Sequence, residues 1–281
     1  METMQLVSSM YPCQDVPVLV FRQRCTHPCL YCGLYKYQFP EDKIITSGRD
    51  NIVREMSKYK GAYFSPVTDC FLPENCELTH YLLEETWKMS PRWVPLVNTK
   101  QMIPEKTIEL FARKSHELVL QISIPSSDEE LVSILEPGSA FVSKRLGMIK
   151  ELTTAGIPVI VTIMPWFDFG KPEELAKKLS NAGVKRTLIL NGILTETQRK
   201  RMINSVNMQI KSVAESVCFV KEATENGYVL SRERRIKSLT QLIDTLTRFG
   251  ILARVCICDN HDLGDTKLPL CGKFKHHNFE N

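Results

Sequence analysis

Apolar runs and amphipathic stretches alternate along the 281 residues. Val16-Pro17-Val18-Leu19-Val20-Phe21 is a continuous apolar run of the kind that a strand covered on both faces shows. Similar short runs recur at 61–65, 93–98, 117–124, 157–164 and 186–190, several of them rich in β-branched residues. Between them, apolar positions at helical spacing predict helices over 50–56, 78–88, 104–113, 128–135, 139–155 and 173–181, the last closed by Gly183. Two longer helical patterns follow at 195–217 and 232–249, with a short apolar run at 252–255 before the tail. The stretch 33–43 has no period and reads as irregular. Six strands, each followed by helix, predict a parallel sheet with helical crossovers. Six units are two short of the eight that close a barrel, so the expected fold is α/β, a partial (βα)6 TIM-type barrel. The barrel domain is expected over 1–255, with a C-terminal appendage over 256–281.

Composition changes this picture little. Hydrophobic residues make up 43% of the chain, enough for one sizeable core. No apolar run is long enough for a transmembrane helix, and Met1-Glu2-Thr3-Met4-Gln5 lacks the basic-then-apolar pattern of a secretory signal. The expected location is cytoplasmic, without a membrane partner. Ten cysteines in such a chain point to metal binding or reduced thiols rather than a disulfide framework. A net charge of +4 permits an anionic substrate but supplies no basic stripe for duplex nucleic acid.

The chemistry starts in the loop after the first run, Cys25-Thr26-His27-Pro28-Cys29-Leu30-Tyr31-Cys32. Three thiols at C-x3-C-x2-C spacing can wrap one inorganic centre, and thiolates are the usual ligands of iron–sulfur clusters. Three ligands on a four-iron cluster leave one iron open. A closed structural zinc site needs a fourth ligand, and His27 is the local candidate; a zinc-stabilised nucleic-acid-binding module is therefore the competing reading. The spacing, the aromatic before the last cysteine and the position after a first strand resemble the cluster signature of the radical S-adenosylmethionine (SAM) superfamily. That resemblance implies a 4Fe–4S cluster on Cys25, Cys29 and Cys32, with SAM chelated at the open iron.

In parallel α/β barrels the functional groups gather at the C-terminal strand ends. Here those ends read Ser65-Pro66-Val67-Thr68-Asp69-Cys70, Asn98-Thr99-Lys100, Gln121-Ile122-Ser123, Met164-Pro165-Trp166 and Asn191-Gly192. Lys100 suits the SAM carboxylate, and Thr68 and Ser123 the methionyl end. Tyr31 offers a ring face to adenine, and the backbone at Met164 an edge. Val67-Thr68-Asp69, Asn98-Thr99-Lys100, Ile122-Ser123-Ile124 and Leu135-Glu136-Pro137-Gly138 with Arg145-Leu146 are similar to the spore photoproduct lyase branch. The similarity covers about 16–166, and in that branch the residues matching Thr68, Lys100 and Ser123 contact SAM. The branch's hydrogen-donor cysteine falls two residues before the position matching Thr68, where this chain has Pro66; Cys70 and Cys76 lie nearby out of register.

The resemblance implies a radical SAM lyase on a small nucleoside or nucleotide, such as one releasing queuine from queuosine or its 5′-phosphate in salvage, with DNA repair as the alternative. An electron donor such as flavodoxin or ferredoxin is the implied protein partner. Tyr35, Asp69, Glu74, Trp166, Asp168 and Asn191 are the expected substrate-binding residues, Trp166 being equally suited to the core. Arg145 is expected to bridge Glu136 or a helix end. In the tail, Cys256, Cys258, His261 and Cys271 can form a second metal site, zinc or an auxiliary cluster; alternatively 263–270 folds over the barrel mouth.

Overall fold

The computed structural model describes residues 4–8, 16–21, 25–32, 44–64, 67–221, 226–256 and 261–270. Tyr35, Pro66, Cys258 and Cys271 lie outside these residues. Strands β1 (Met4–Val7), β2 (Val18–Phe21) and β3 (Ile44–Ser47) precede helix α1 (Arg49–Met56). Then come β4 (Tyr63–Phe64), α2 (Cys76–Met89), β5 (Leu96–Thr99), α3 (Glu105–Arg113), β6 (Val119–Ser123), α4 (Glu129–Leu135) and α5 (Val142–Thr154). The chain continues through β7 (Val159–Trp166), α6 (Pro172–Asn181), β8 (Arg186–Asn191), α7 (Glu196–Ile203), α8 (Met208–Ser216), a hairpin of β9 (Cys218–Lys221) and β10 (Asn226–Val229), α9 (Arg232–Arg248) and β11 (Leu252–Val255).

One nine-stranded sheet runs in the order β11-β8-β7-β6-β5-β4-β2-β1-β3. From β2 to β11 every pairing is parallel, which gives the six expected strand–helix units and a seventh parallel strand, β11. At the other edge β1 pairs antiparallel with both β2 and β3. The two faces bury different residues, as the two-residue period of a strand requires. Leu120 and Ile122 of β6, Val161 and Ile163 of β7 and Ala253 and Val255 of β11 join the large core that the helices cover. Ile160, Leu188 and Cys256 form a separate cluster with Val119 and Leu190 on the opposite, concave face.

Two elements differ from the sequence reading. The helix expected over 195–217 is two helices, because Asn207 turns its side chain onto the backbone N–H groups of Gln209 and Ile210 and so starts α8 afresh. The first of the pair, α7, has its own start, a Thr195–Gln198 capping box. The tail packs on the barrel's edge: Leu263 is fully buried in the main core, Leu270 bridges Val255, and Asp262 pairs with the buried Arg235. Among the described residues no helix is long and apolar enough to cross a membrane.

Candidate metal centre and its surroundings

The thiol loop follows β2 at its C-terminal end. The Leu30 N–H donates to the Leu135 carbonyl at the end of α4 (3.0 Å), and the Cys32 N–H to the Cys29 carbonyl (3.1 Å). The Cys25 sulfur receives the backbone N–H groups of His27 and Asp69, yet burial still pushes its pKa up. Cys29 is 4% exposed. Burial pushes its thiol up to about 12, against the pull of Lys100 and with the help of Glu136, Cys32 and Cys25. A cysteine in such a place is an inert neutral thiol unless a cation displaces its proton. Among the described residues no three Cys, His, Asp or Glu side chains converge tightly enough for a single metal ion. Three soft thiols near enough to feel one another's charge, yet not converging on one point, are a donor set that fits a thiolate-bound cluster.

His27 does not join the thiols. It is 3% exposed, its Nε2 lies 2.7 Å from Gln101 Nε2, and Gln101 also donates to the Gly138 carbonyl (3.0 Å). Burial lowers the imidazole pKa, so the ring is neutral at pH 7 and accepts the amide proton. An added Cβ at Gly138 would stand 3.5 Å from the ring, and this glycine also has φ +81°. The zinc reading loses the histidine that would complete its ligand set.

Asp69 fixes the approach of Lys100. Its Oδ1 accepts from the Phe71 N–H (2.9 Å) and the Thr99 hydroxyl (2.8 Å), and its Oδ2 from the Lys100 N–H (2.7 Å). Both carboxylate oxygens are thus used in joining the loop after β4 to the end of β5. Asp69, expected as a substrate-binding residue, thus has a bracing duty in this structure. The Lys100 ammonium stands near Glu136, Cys29, Asp69 and Cys32. Burial pulls its pKa down, but those four negative or potentially negative groups outweigh it and the pKa rises, so the side chain stays cationic. It makes no ion pair among the described residues.

A second brace runs beneath the loop. The Tyr31 hydroxyl donates to Glu136 Oε1, and Arg145 Nη2 meets Glu136 Oε2 at 2.9 Å, with both charged side chains fully buried. Arg145 also donates to the carbonyls of Ala140 (2.7 Å) and Ser123 (2.5 Å) and to the Ser139 hydroxyl (3.1 Å). The bridge expected between Arg145 and Glu136 is present. Tyr31 is only 8% exposed and belongs to the core, which leaves little ring face for adenine. Ser123 Oγ points to the Met164 carbonyl (3.5 Å), and Thr68 Oγ1 to the Phe21 carbonyl (3.5 Å).

The remaining candidates scatter. Trp166 is a core residue, 2% exposed, with its indole N–H on Ser238 Oγ (3.2 Å). Asp168, at φ 58°, faces Arg234 (3.6 Å) on α9; burial raises its pKa although Arg234 and Lys237 oppose the shift. Glu74 is exposed just before α2, and Asn191 is buried with its Nδ2 unpartnered. Cys256 packs with Ile160 and Leu188 in the apolar concave cluster. Gln101, which holds His27, was not among the expected residues. Its position directly after Lys100 was the available signal, but a lone glutamine on a loop has no spacing rule to mark it.

No protein-family model matches the chain. The uncharacterized protein ORF301 of Acidianus two-tailed virus is 25% identical over 135 residues, 45% of this chain. The match spans 44% of that relative's length, less than half. Spore photoproduct lyase complexed with dinucleoside spore photoproduct superposes with a TM-score of 0.59 at 17% identity, over 89% of this chain and 78% of that one. Streptococcus suis SuiB bound to S-adenosylmethionine superposes with a TM-score of 0.55 at 13% identity, over 82% of this chain and 48% of that one. The chain has the partial-barrel fold that the sequence resemblance implied, and it shares that fold with spore photoproduct lyase.

Proposed function

We propose that the protein is a radical SAM enzyme in which Cys25, Cys29 and Cys32 hold a 4Fe–4S cluster. The observation that carries this reading is Lys100: a cation near the thiols, without an ion-pair partner among the described residues, on a backbone clamped by Asp69. When bound and reduced by a donor of the flavodoxin or ferredoxin class, such a cluster would supply the one electron that splits SAM into methionine and a 5′-deoxyadenosyl radical able to abstract hydrogen from the substrate. Lys100 holds the SAM carboxylate, and Thr68 and Ser123 receive the methionyl end. Met164 lines the adenosine side. Glu136 and Arg145 act at one remove, fixing Tyr31 in the thiol loop and the Ser123 carbonyl at the end of β6.

The substrate in this reading is a nucleoside or nucleotide, and the reaction is release of queuine from queuosine or its 5′-phosphate. The spore photoproduct lyase fold supports a nucleoside-bearing substrate. Pro66, in place of the branch's hydrogen-donor cysteine, favours salvage over photoproduct repair, and Cys70, fully buried, is no substitute. Incubation of the reconstituted enzyme with SAM, a reductant and queuosine or its 5′-phosphate should give free queuine together with 5′-deoxyadenosine. Turnover of ultraviolet-irradiated DNA alone would instead make it a repair enzyme.

A further inference from the structure

The register of the parallel strands sets Ser123, Thr162, Leu188 and Arg254 in one row across the concave face of β6, β7, β8 and β11. Lys100 continues this row on the β5 side, one position beyond the Thr99–Ile122 pair. Arg254 alternates with Ala253 and Val255, which face the helix-covered core, so it shares its face with Cys256 of the concave cluster. It is the penultimate residue of β11, near the barrel end at which functional groups collect. Arg254 is half-buried, and among the described residues it has neither a hydrogen bond nor an ion pair. Thr162 is 1% exposed, and its hydroxyl has no partner among the described residues. One level down, Asn98 and the 4%-exposed Gln121 face each other across β5 and β6, and Asn98 Oδ1 is buried without a partner.

The inner positions of β4 to β8 and β11 carry no carboxylate. Tyr63, Leu96, Asn98, Val119, Gln121 and Ser123 are followed on the remaining strands by apolar residues, Thr162, Arg186 at the lower rim and Arg254. Arginine cannot shed its proton to relieve burial, so a guanidinium here is a standing demand for an anion. Lys100 stands four inter-strand steps from Arg254 along the sheet. Ser123 and Arg254 alone are three inter-strand steps apart, about 14 Å along the sheet at about 4.8 Å per step. A carboxylate at Lys100 is thus anchored at the far end of the row from Arg254.

We infer that Arg254 and Thr162 form an anion subsite for the substrate, specific for a phosphate group, with Asn98 and Gln121 presenting amide edges to its neutral part. This rests on the radical SAM reading for the identity of the ligand at Lys100, and it selects the nucleotide over the nucleoside as substrate. A planar guanidinium whose long side chain starts two strands from the Thr162 hydroxyl, on the same face, matches a phosphate monoester lying between them, which accepts two parallel N–H bonds and a third from the hydroxyl.

The test uses the reconstituted full chain and equilibrium binding of the four ribonucleoside 5′-monophosphates, their nucleosides and the dinucleotide TpT. At least one monophosphate should bind about tenfold or more tightly than its nucleoside, a difference of about 1.4 kcal/mol or more. Arg254→Gln should abolish that difference, and Arg254→Lys should restore part of it. Thr162→Val should weaken the same binding severalfold without lowering the melting temperature, because its hydroxyl has no internal partner to lose. Binding of SAM, titrated separately, should be unchanged in all three variants. Arg254-dependent binding of TpT but of no monophosphate would support the phosphate subsite with a phosphodiester as its source. No phosphate preference, or a preference that survives in Arg254→Gln, overturns the inference, as does loss of SAM affinity in Arg254→Gln. Failure of the wild type to bind SAM would strike at the radical SAM reading and leave the phosphate comparison standing.

Discussion

Tyr31 donates its hydroxyl to Glu136, 105 residues further along the chain, and that carboxylate is held from its other side by Arg145. The residue before the last thiol is thereby tied to a buried ion pair under the barrel mouth. Desolvating two charges is costly, and the pair is sustained only because Arg145 spends its remaining donors on Ala140, Ser139 and Ser123. Removing one partner leaves the other charged and buried.

Arg145→Ala should therefore destabilise the protein by about 3–5 kcal/mol. The double variant Arg145→Met/Glu136→Met should cost clearly less, because neither charge is left alone. Denaturant melts of the two variants check this, and equal losses would show that packing rather than charge pairing is at stake.

Lys100→Ala should weaken SAM binding by about 1.5–3 kcal/mol, the worth of a hydrogen bond to a charged group, while the iron content stays unchanged. Loss of iron together with SAM binding would make Lys100 a structural partner of the thiol loop instead.

Asp69→Asn should disturb the same site from behind. The carboxylate accepts from two backbone N–H groups and a hydroxyl, and an amide can offer only one oxygen in its place. A donor left unpaired in this buried position costs about 1–3 kcal/mol. The melting temperature should fall and SAM affinity with it, whereas the exposed Glu74→Gln should alter neither.

Asp128 caps α4, whose last carbonyl receives the Leu30 N–H of the thiol loop. Its Oδ1 accepts from the Leu131 N–H (3.1 Å) and its Oδ2 faces Lys171 (3.3 Å), so its pKa falls below 3.8, chiefly through the backbone bond. A depressed folded-state pKa gives stability that is complete above the unfolded value and is lost as pH falls through the folded one. Asp128→Ala should cost about 1 kcal/mol at pH 7. The gap between variant and wild type should narrow as pH falls from about 4 downward. A gap independent of pH would assign the loss to helix propensity alone.

The central strands were legible because both of their faces are covered, so apolar residues dominate their sequences. Four-residue β1 and β3 lie at the antiparallel edge and have no such signature; β3 is only half-buried. The cap at Asn207 was not read, because apolar positions at helical spacing continue on either side of it. At the candidate site, the thiol spacing, the aromatic before the last cysteine and the place after a first strand together marked Cys25, Cys29 and Cys32, and strand ends marked Lys100 and Ser123. The duty of Asp69 could not be read, since it depends on Thr99, 30 residues away. Trp166 shows the converse difficulty: an aromatic at a strand end suits a ligand or a core equally, and the Ser238 hydroxyl on α9 decided for the core.

The most direct test of the central reading is anaerobic reconstitution followed by incubation with SAM and dithionite. The expected result is a brown protein with about four irons per chain that releases 5′-deoxyadenosine, as a single cluster with one open iron requires. Replacing Cys25, Cys29 and Cys32 together by Ala should abolish both iron and product. A colourless protein that takes up one zinc and leaves SAM intact would contradict the reading outright.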